Sequence, residues 1–140
     1  MRLAIDEAPR AAGLFAGPRD PSQAPLVLKR VIEYAVEIVF EVGPGDLRSP
    51  TRGTAEIAFA RQVAMYLAHV ACGLSFTEIG RAFDRDRTTV SHACAVIEDS
   101  RDDPHVDRML ELLEAVIGRL AHVTLLQAPR QSRRRAFTNA

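Results

Sequence analysis

The densest run of chemistry-bearing side chains is Arg85-Asp86-Arg87-Thr88-Thr89, followed at helical spacing by Ser91 and His92. If Val90, Ala93, Cys94 and Ile97 form the inward stripe of a helix, then Thr88, Ser91, His92 and Ala95 face outward. Arg87 stands at the leading edge of that helix. These residue types suit the edges of base pairs. A guanidinium can fork onto guanine, a threonine presents a hydroxyl beside a methyl that fits thymine, and Ala95 is small enough for close approach. The positive N-terminus of the helix, with Thr89, favours a phosphate.

Other chemistries fit less well. His69, Cys72, His92 and Cys94 could suggest a metal site, but His92 projects away from the stripe that holds Cys94. Compact zinc sites also use tighter ligand pairs. The plainer reading is two surface histidines and two buried or half-buried thiols. No Ser/His/Asp or Cys/His spacing argues for catalysis, so no enzyme activity is expected. The chain lacks a G-x-x-x-x-G-K-[ST] loop and a G-x-G-x-x-G turn, so no nucleotide cofactor is expected.

The elements that would position these residues are helical. Leu28, Ile32, Ala35, Val36 and Val39 form one stripe of a helix from Leu26 to about Phe40, with Lys29, Glu33 and Glu37 off it. Gly43-Pro44-Gly45 is expected to stop that helix. A second helix covers about Thr54 to Cys72, with Gly73 as its stop. Ser75-Phe76-Thr77-Glu78 reads as a capping box opening a short helix to Phe83. Asp84-Arg85 is the turn, and Asp86 can cap the next helix, which runs to about Ser100. Asp103-Pro104 is an N-cap followed by proline in the first turn, opening a last helix that ends near Gln127. The class is all-α, with five to six helices. A short capped helix, a tight turn and a second helix make a helix-turn-helix.

The 140 residues carry 18 basic and 18 acidic groups, which excludes a globally basic protein. The zero is nevertheless a sum of opposites. Residues 25–47 carry −2, residues 48–95 carry +2, residues 96–127 carry −4, and the last 13 residues carry +4. Of the basic residues 17 are arginine and only Lys29 is lysine, so the positive charges are planar forks. Residues 1–24, rich in Ala, Pro and Gly, read as a flexible leader. Residues 25–127 read as the folded domain. Residues 128–140, with Arg130, Arg133, Arg134 and Arg135, read as a basic disordered tail. Two cysteines make no disulfide framework, and no secretory signal or membrane-length apolar run stands out. A cytoplasmic, nucleoid-associated protein is expected. With no sustained heptad seam, a monomer is expected, although Leu112, Val123, Leu125 and Leu126 leave room for a partner.

The run Ala60-Arg61-Gln62-Val63-Ala64-Met65-Tyr66-Leu67-Ala68, then Ser75 to Phe83 and Arg85 to Cys94, resembles the C-terminal DNA-binding domain of the bacterial replication initiator DnaA. The resemblance covers about Leu26 to Leu120. It implies a helix-turn-helix domain in a Trp-repressor-like arrangement, and recognition of the duplex element called the DnaA box. Carried over residue by residue, Asp86, Arg87 and Thr88 would read bases, with Phe76 and Thr77 nearby. Arg61, Gln62, Thr89 and His92 would sit near the phosphate backbone, Arg52 would be the minor-groove arginine, and Arg85 would belong to the same DNA-binding set. The sequence departs from the family's pattern at Arg87, where the family usually has histidine, and at Asp84, which alone fills a turn usually made by two glycines. The ATPase module of the family is not among these residues.

Three roles stay open at this point. The leading one is a sequence-preferring double-stranded DNA binder that regulates replication initiation. The second is a protein-interaction module for the full-length initiator or its regulators, and the third a general helix-turn-helix transcription regulator.

Overall fold

A computed structural model describes residues 20–49 and 53–126. The expected leader up to residue 19, Arg52 and the basic tail lie outside the described residues. Five α-helices follow one another: α1 (Ala24–Val39), α2 (Ala55–Val70), α3 (Phe76–Phe83), α4 (Arg87–Ser100) and α5 (Pro104–Leu126). Short 3-10 turns occupy Pro21–Gln23 and Asp46–Arg48. There is no strand among the described residues, so the all-α reading holds.

α2 is the central helix. Six consecutive positions in its middle, Val63 to Ala68, are all buried, because α1, α4, α3 and α5 pack around it. The core joins Ile32 and Val36 of α1, Val63 and Leu67 of α2, and Ile79 of α3. Val90 and Ile97 of α4 and Leu110 and Ile117 of α5 complete it. Each fully buried aliphatic side chain of this kind contributes about 1.5–3 kcal/mol through removal of apolar surface from water.

The helix boundaries show which sequence signals were used. Ser75 Oγ accepts from the Glu78 N–H at 3.1 Å, and Glu78 Oε2 accepts from the Ser75 N–H at 3.0 Å. The capping box is therefore complete. Asp103 Oδ1 accepts from the His105 N–H at 2.9 Å at the start of α5. Gly73, at φ +69, ends α2, with the Leu74 N–H donating to the Ala68 carbonyl at 3.1 Å.

Two boundaries differ from expectation. α1 is stopped by Glu41, not by Gly43-Pro44-Gly45. Glu41 is left-handed (φ 53), and the Val42 N–H donates to the Glu37 carbonyl at 3.1 Å. A residue with a side chain takes the position usually held by glycine, and Gly45 (φ 88) opens the Asp46–Arg48 turn instead. Asp86 stands at the N-cap of α4 with extended backbone, but its carboxylate makes no capping hydrogen bond.

The amphipathic reading of α1 also needs correction at two places. Val39 is largely exposed, whereas Glu33, expected off the stripe, is only 2 % exposed. Its burial is made tolerable by counter-charges. Lys29 Nζ lies 3.6 Å from Glu33 Oε1, and Arg48 Nε lies 3.3 Å from Glu33 Oε2, within ion-pair reach but outside hydrogen-bond geometry. This cluster ties the middle of α1 to the turn before α2, and Lys29 also stands over the Phe83 ring at 5.4 Å.

Candidate nucleic-acid interface

α3 and α4 meet across a turn made by Asp84, Arg85 and Asp86. Asp84 is left-handed (φ 54), and the Arg85 N–H donates to the Gly80 carbonyl at 2.9 Å. The helices come so close that a Cβ at Gly80 would meet the Arg85 carbonyl oxygen at 2.7 Å. Glycine is required there by contact, not by backbone angle. The tight turn fixes the angle at which α4 leaves, and so aims its first residues away from the core.

α4 presents the stripe expected of it. Val90, Ala93, Cys94 and Ile97 are buried, while Thr88, Ser91, His92 and Ala95 are exposed. Three open clefts surround its N-terminal half. Thr77, Arg81, Arg85, Asp86, Arg87 and Thr89 line the first, with Gly80 and Asp84. Phe76, Arg87, Thr88, Ser91, His92 and Ala95 line the second. The third holds Arg61, Gln62, Arg85, Thr89 and His92 over Ala58, Met65 and Ala93. Of the eleven residues singled out from the sequence, ten therefore converge on one corner of the domain. Arg52 lies outside the described residues.

Arg61 and Arg85 have a role there that the sequence did not reveal. Arg61 Nε donates to the Leu47 carbonyl at 2.9 Å, and its Nη2 donates to the carbonyls of Ser49 at 3.3 Å and Asp46 at 3.5 Å. Arg85 Nη2 donates to the same Ser49 carbonyl at 3.4 Å. Both side chains thus hold the turn that precedes α2. Partial burial, and then the nearby charge of Arg85, lower the proton affinity of Arg61 relative to an ordinary arginine.

Phe76 is also held by a partner that sequence reasoning placed elsewhere. His69 is half-buried, not a surface residue. Its Nδ1 lies 2.8 Å from the Leu74 carbonyl, and its ring stacks obliquely on Phe76 with centroids 4.6 Å apart. His69 and His92 accordingly do different work. No three His, Cys, Asp or Glu residues stand together as a metal site among the described residues. Burial pushes the Cys72 and Cys94 thiols up to about 11, with Glu98 adding to the shift at Cys94. Arg81 is the lining residue that sequence reasoning missed. Its position at the end of α3, one turn before Arg85, was the available signal.

Residues 30–97 match the model of the bacterial DnaA protein helix-turn-helix. That stretch spans the turn held by Arg61 and Arg85, both helices of the motif and every residue lining the three clefts around α4. Over that stretch the chain is similar to a DnaA-type helix-turn-helix. The chromosomal replication initiator protein DnaA of Bartonella quintana is 46% identical over 92 residues, which cover 64% of this chain and 18% of the relative. DnaA 1 of Protochlamydia amoebophila is 41% identical over 85 residues, 61% of this chain and 18% of the relative. DnaA of Thermoanaerobacter sp. is 37% identical over 86 residues, 61% and 19%. The chain thus spans about a fifth of the length of the curated relatives it matches. No solved structure matches the chain. The matched DnaA-type domain is a helix-turn-helix and not a catalytic module, and no helix among the described residues is long and apolar enough to cross a membrane.

Proposed function

We propose that the protein binds double-stranded DNA with sequence preference, at DnaA-box-like sites, and regulates the initiation of chromosome replication from the cytoplasmic nucleoid as a monomer. α4 lies in the major groove, with Asp86, Arg87 and Thr88 toward base edges and Phe76 and Thr77 beside them. Arg61, Gln62, Arg85, Thr89 and His92 approach the phosphates, and Arg52 enters the minor groove. The observation that carries this reading is the convergence of the cleft residues on the exposed face of α4, inside the stretch matching the DnaA helix-turn-helix.

A gel-shift series with a duplex carrying a DnaA box and a scrambled duplex tests it. Tighter binding to the box is expected, weakened by Thr88→Ala. Affinity should fall with salt at a log–log slope of about −0.9 per phosphate neutralised. Equal, weak binding to both duplexes would sink the reading.

A second reading is favoured by one observation. Ala35, Ile38, Val39, Met109, Leu112, Leu113 and Val116 line an entirely apolar cleft between α1 and α5, with Ile38 62 % and Leu112 64 % exposed. Such a face suits a protein partner, which in this reading is the full-length initiator or one of its regulators. A pull-down of the initiator that persists after nuclease treatment and in Thr88→Ala, but not in Leu112→Glu, would support it.

A further inference from the structure

Four arginines line the clefts at the leading end of α4, and the fold treats them differently: Arg81 stands exposed on α3, and Arg61, Arg85 and Arg87 border α4 itself. Arg61 donates to the carbonyls of Leu47, Asp46 and Ser49. Arg85 donates to Ser49 and, at 3.5 Å, to Asp84. The Arg87 side chain makes no hydrogen bond or ion pair with any described residue. It is exposed in the first turn of α4 and lines the cleft shared with Thr88 and Ala95. Its guanidinium keeps all five donors, in a planar fork, for a ligand.

We propose that Arg87 is the specificity-determining residue of this interface, forking onto O6 and N7 of a single guanine. The proposal rests on the reading of α4 as a DNA-reading helix. Arginine to guanine is the pairing in which both acceptors of one base match both prongs of one fork. Thr88 and Ala95, the outward neighbours in the same cleft, offer a methyl and open space, which suit the thymine of an adjacent pair. A phosphate is the less favoured occupant. Arg87 belongs to the outward stripe of the helix, and the cleft lined by Arg61, Gln62, Arg85 and Thr89 beside it already supplies groups for the backbone.

The test is selection of bound duplexes from a randomised pool by the full chain, by Arg87→Ala and by Arg87→Lys, with thermal melting to confirm that each variant is folded. Each guanine of the wild-type site is then replaced singly by 7-deazaguanine, which removes only the N7 acceptor. One position is expected at which replacement weakens wild-type binding by roughly 5- to 150-fold. In Arg87→Ala the same replacement should have no effect, and the selected site should lose its guanine there while keeping its other positions. Arg87→Lys should bind but discriminate less.

Persistence of the guanine requirement in Arg87→Ala would overturn the proposal. So would an equal loss of affinity on every duplex, which is the signature of a phosphate contact. Failure of the wild type to enrich any sequence would overturn the DNA-reading function as well, so the two failures are distinguishable.

Discussion

Arg61 and Arg85 donate to one acceptor, the carbonyl oxygen of Ser49, at 3.3 and 3.4 Å. Two like charges from α2 and from the turn before α4 are thereby drawn to the same backbone group. The result is a focus of positive potential, rigidly placed at the end of α4, with the turn before α2 fixed against it.

Replacing Arg61 by lysine keeps the charge but removes the fork that reaches three carbonyls. Arg61→Lys is therefore expected to lose about 1–3 kcal/mol of stability, as turn carbonyls lose their donors. DNA affinity should fall by a similar factor on all duplexes. Denaturant melts and gel shifts on two unrelated sequences measure both. A variant indistinguishable from wild type in melting would show that the turn is held without Arg61.

Gly80→Ala places a Cβ where the Arg85 carbonyl oxygen lies at 2.7 Å. That oxygen belongs to backbone and can move only if the helix-turn-helix angle opens. Overpacking of this kind costs about 1–3 kcal/mol. Calorimetry should register a lower Tm, and sequence preference should weaken more than total DNA affinity because α4 is re-aimed.

Arg101 ties three elements together. Its Nη1 donates to Tyr66 Oη at 2.7 Å and to Glu114 Oε1 at 2.5 Å, and its Nε donates to Asp107 Oδ1 at 2.6 Å. These bonds raise the proton affinity of the guanidinium, that to Tyr66 first. Its side chain is 21 % exposed, so solvent screens the ion pairs partly. Arg101→Met should destabilise by roughly 1–3 kcal/mol, since it leaves the Tyr66 hydroxyl and two carboxylates without their donor. Salt should reduce the difference between variant and wild type in urea melts.

Alkaline pH should weaken the fold in two stages. Burial raises the thiols of Cys72 and Cys94 from 9.0 to about 11, and burial likewise raises the Tyr66 phenol from 10.0 to about 12. In each case the native state holds the proton more tightly than the unfolded chain does. The associated stability is fully present below about pH 9 and is lost as pH rises, first through the thiol window and then through the phenol window. Melts between pH 8 and 12 should show that decline, and the protonated thiols should react slowly with iodoacetamide at neutral pH. Rapid alkylation of both thiols in the folded protein would contradict this.

Much of the domain was readable in the sequence because its determinants are local. The Ser75–Glu78 capping box, the Asp103-Pro104 start, the Gly73 stop and the inward stripe of α4 each depend on residues within about one helical turn of one another. Those same spacings carried Phe76, Arg87, Thr88, Thr89 and His92 to one face. The stop of α1 was misplaced because a left-handed Glu41 has no compositional signature, whereas the glycines after it do.

The sequence by itself determined the five helices, the helix-turn-helix and the outward face of α4, since periodicity and capping are properties of neighbouring residues. Only the tertiary structure decided what the long polar side chains do. It buries Glu33 between Lys29 and Arg48, seats His69 against Phe76, and commits Arg61 and Arg85 to the Ser49 carbonyl while leaving Arg87 exposed. A flexible cationic side chain can reach any carbonyl within several ångströms, and backbone acceptors carry no sequence label. Which arginine holds the fold and which is offered to a ligand is therefore settled by packing, not by pattern.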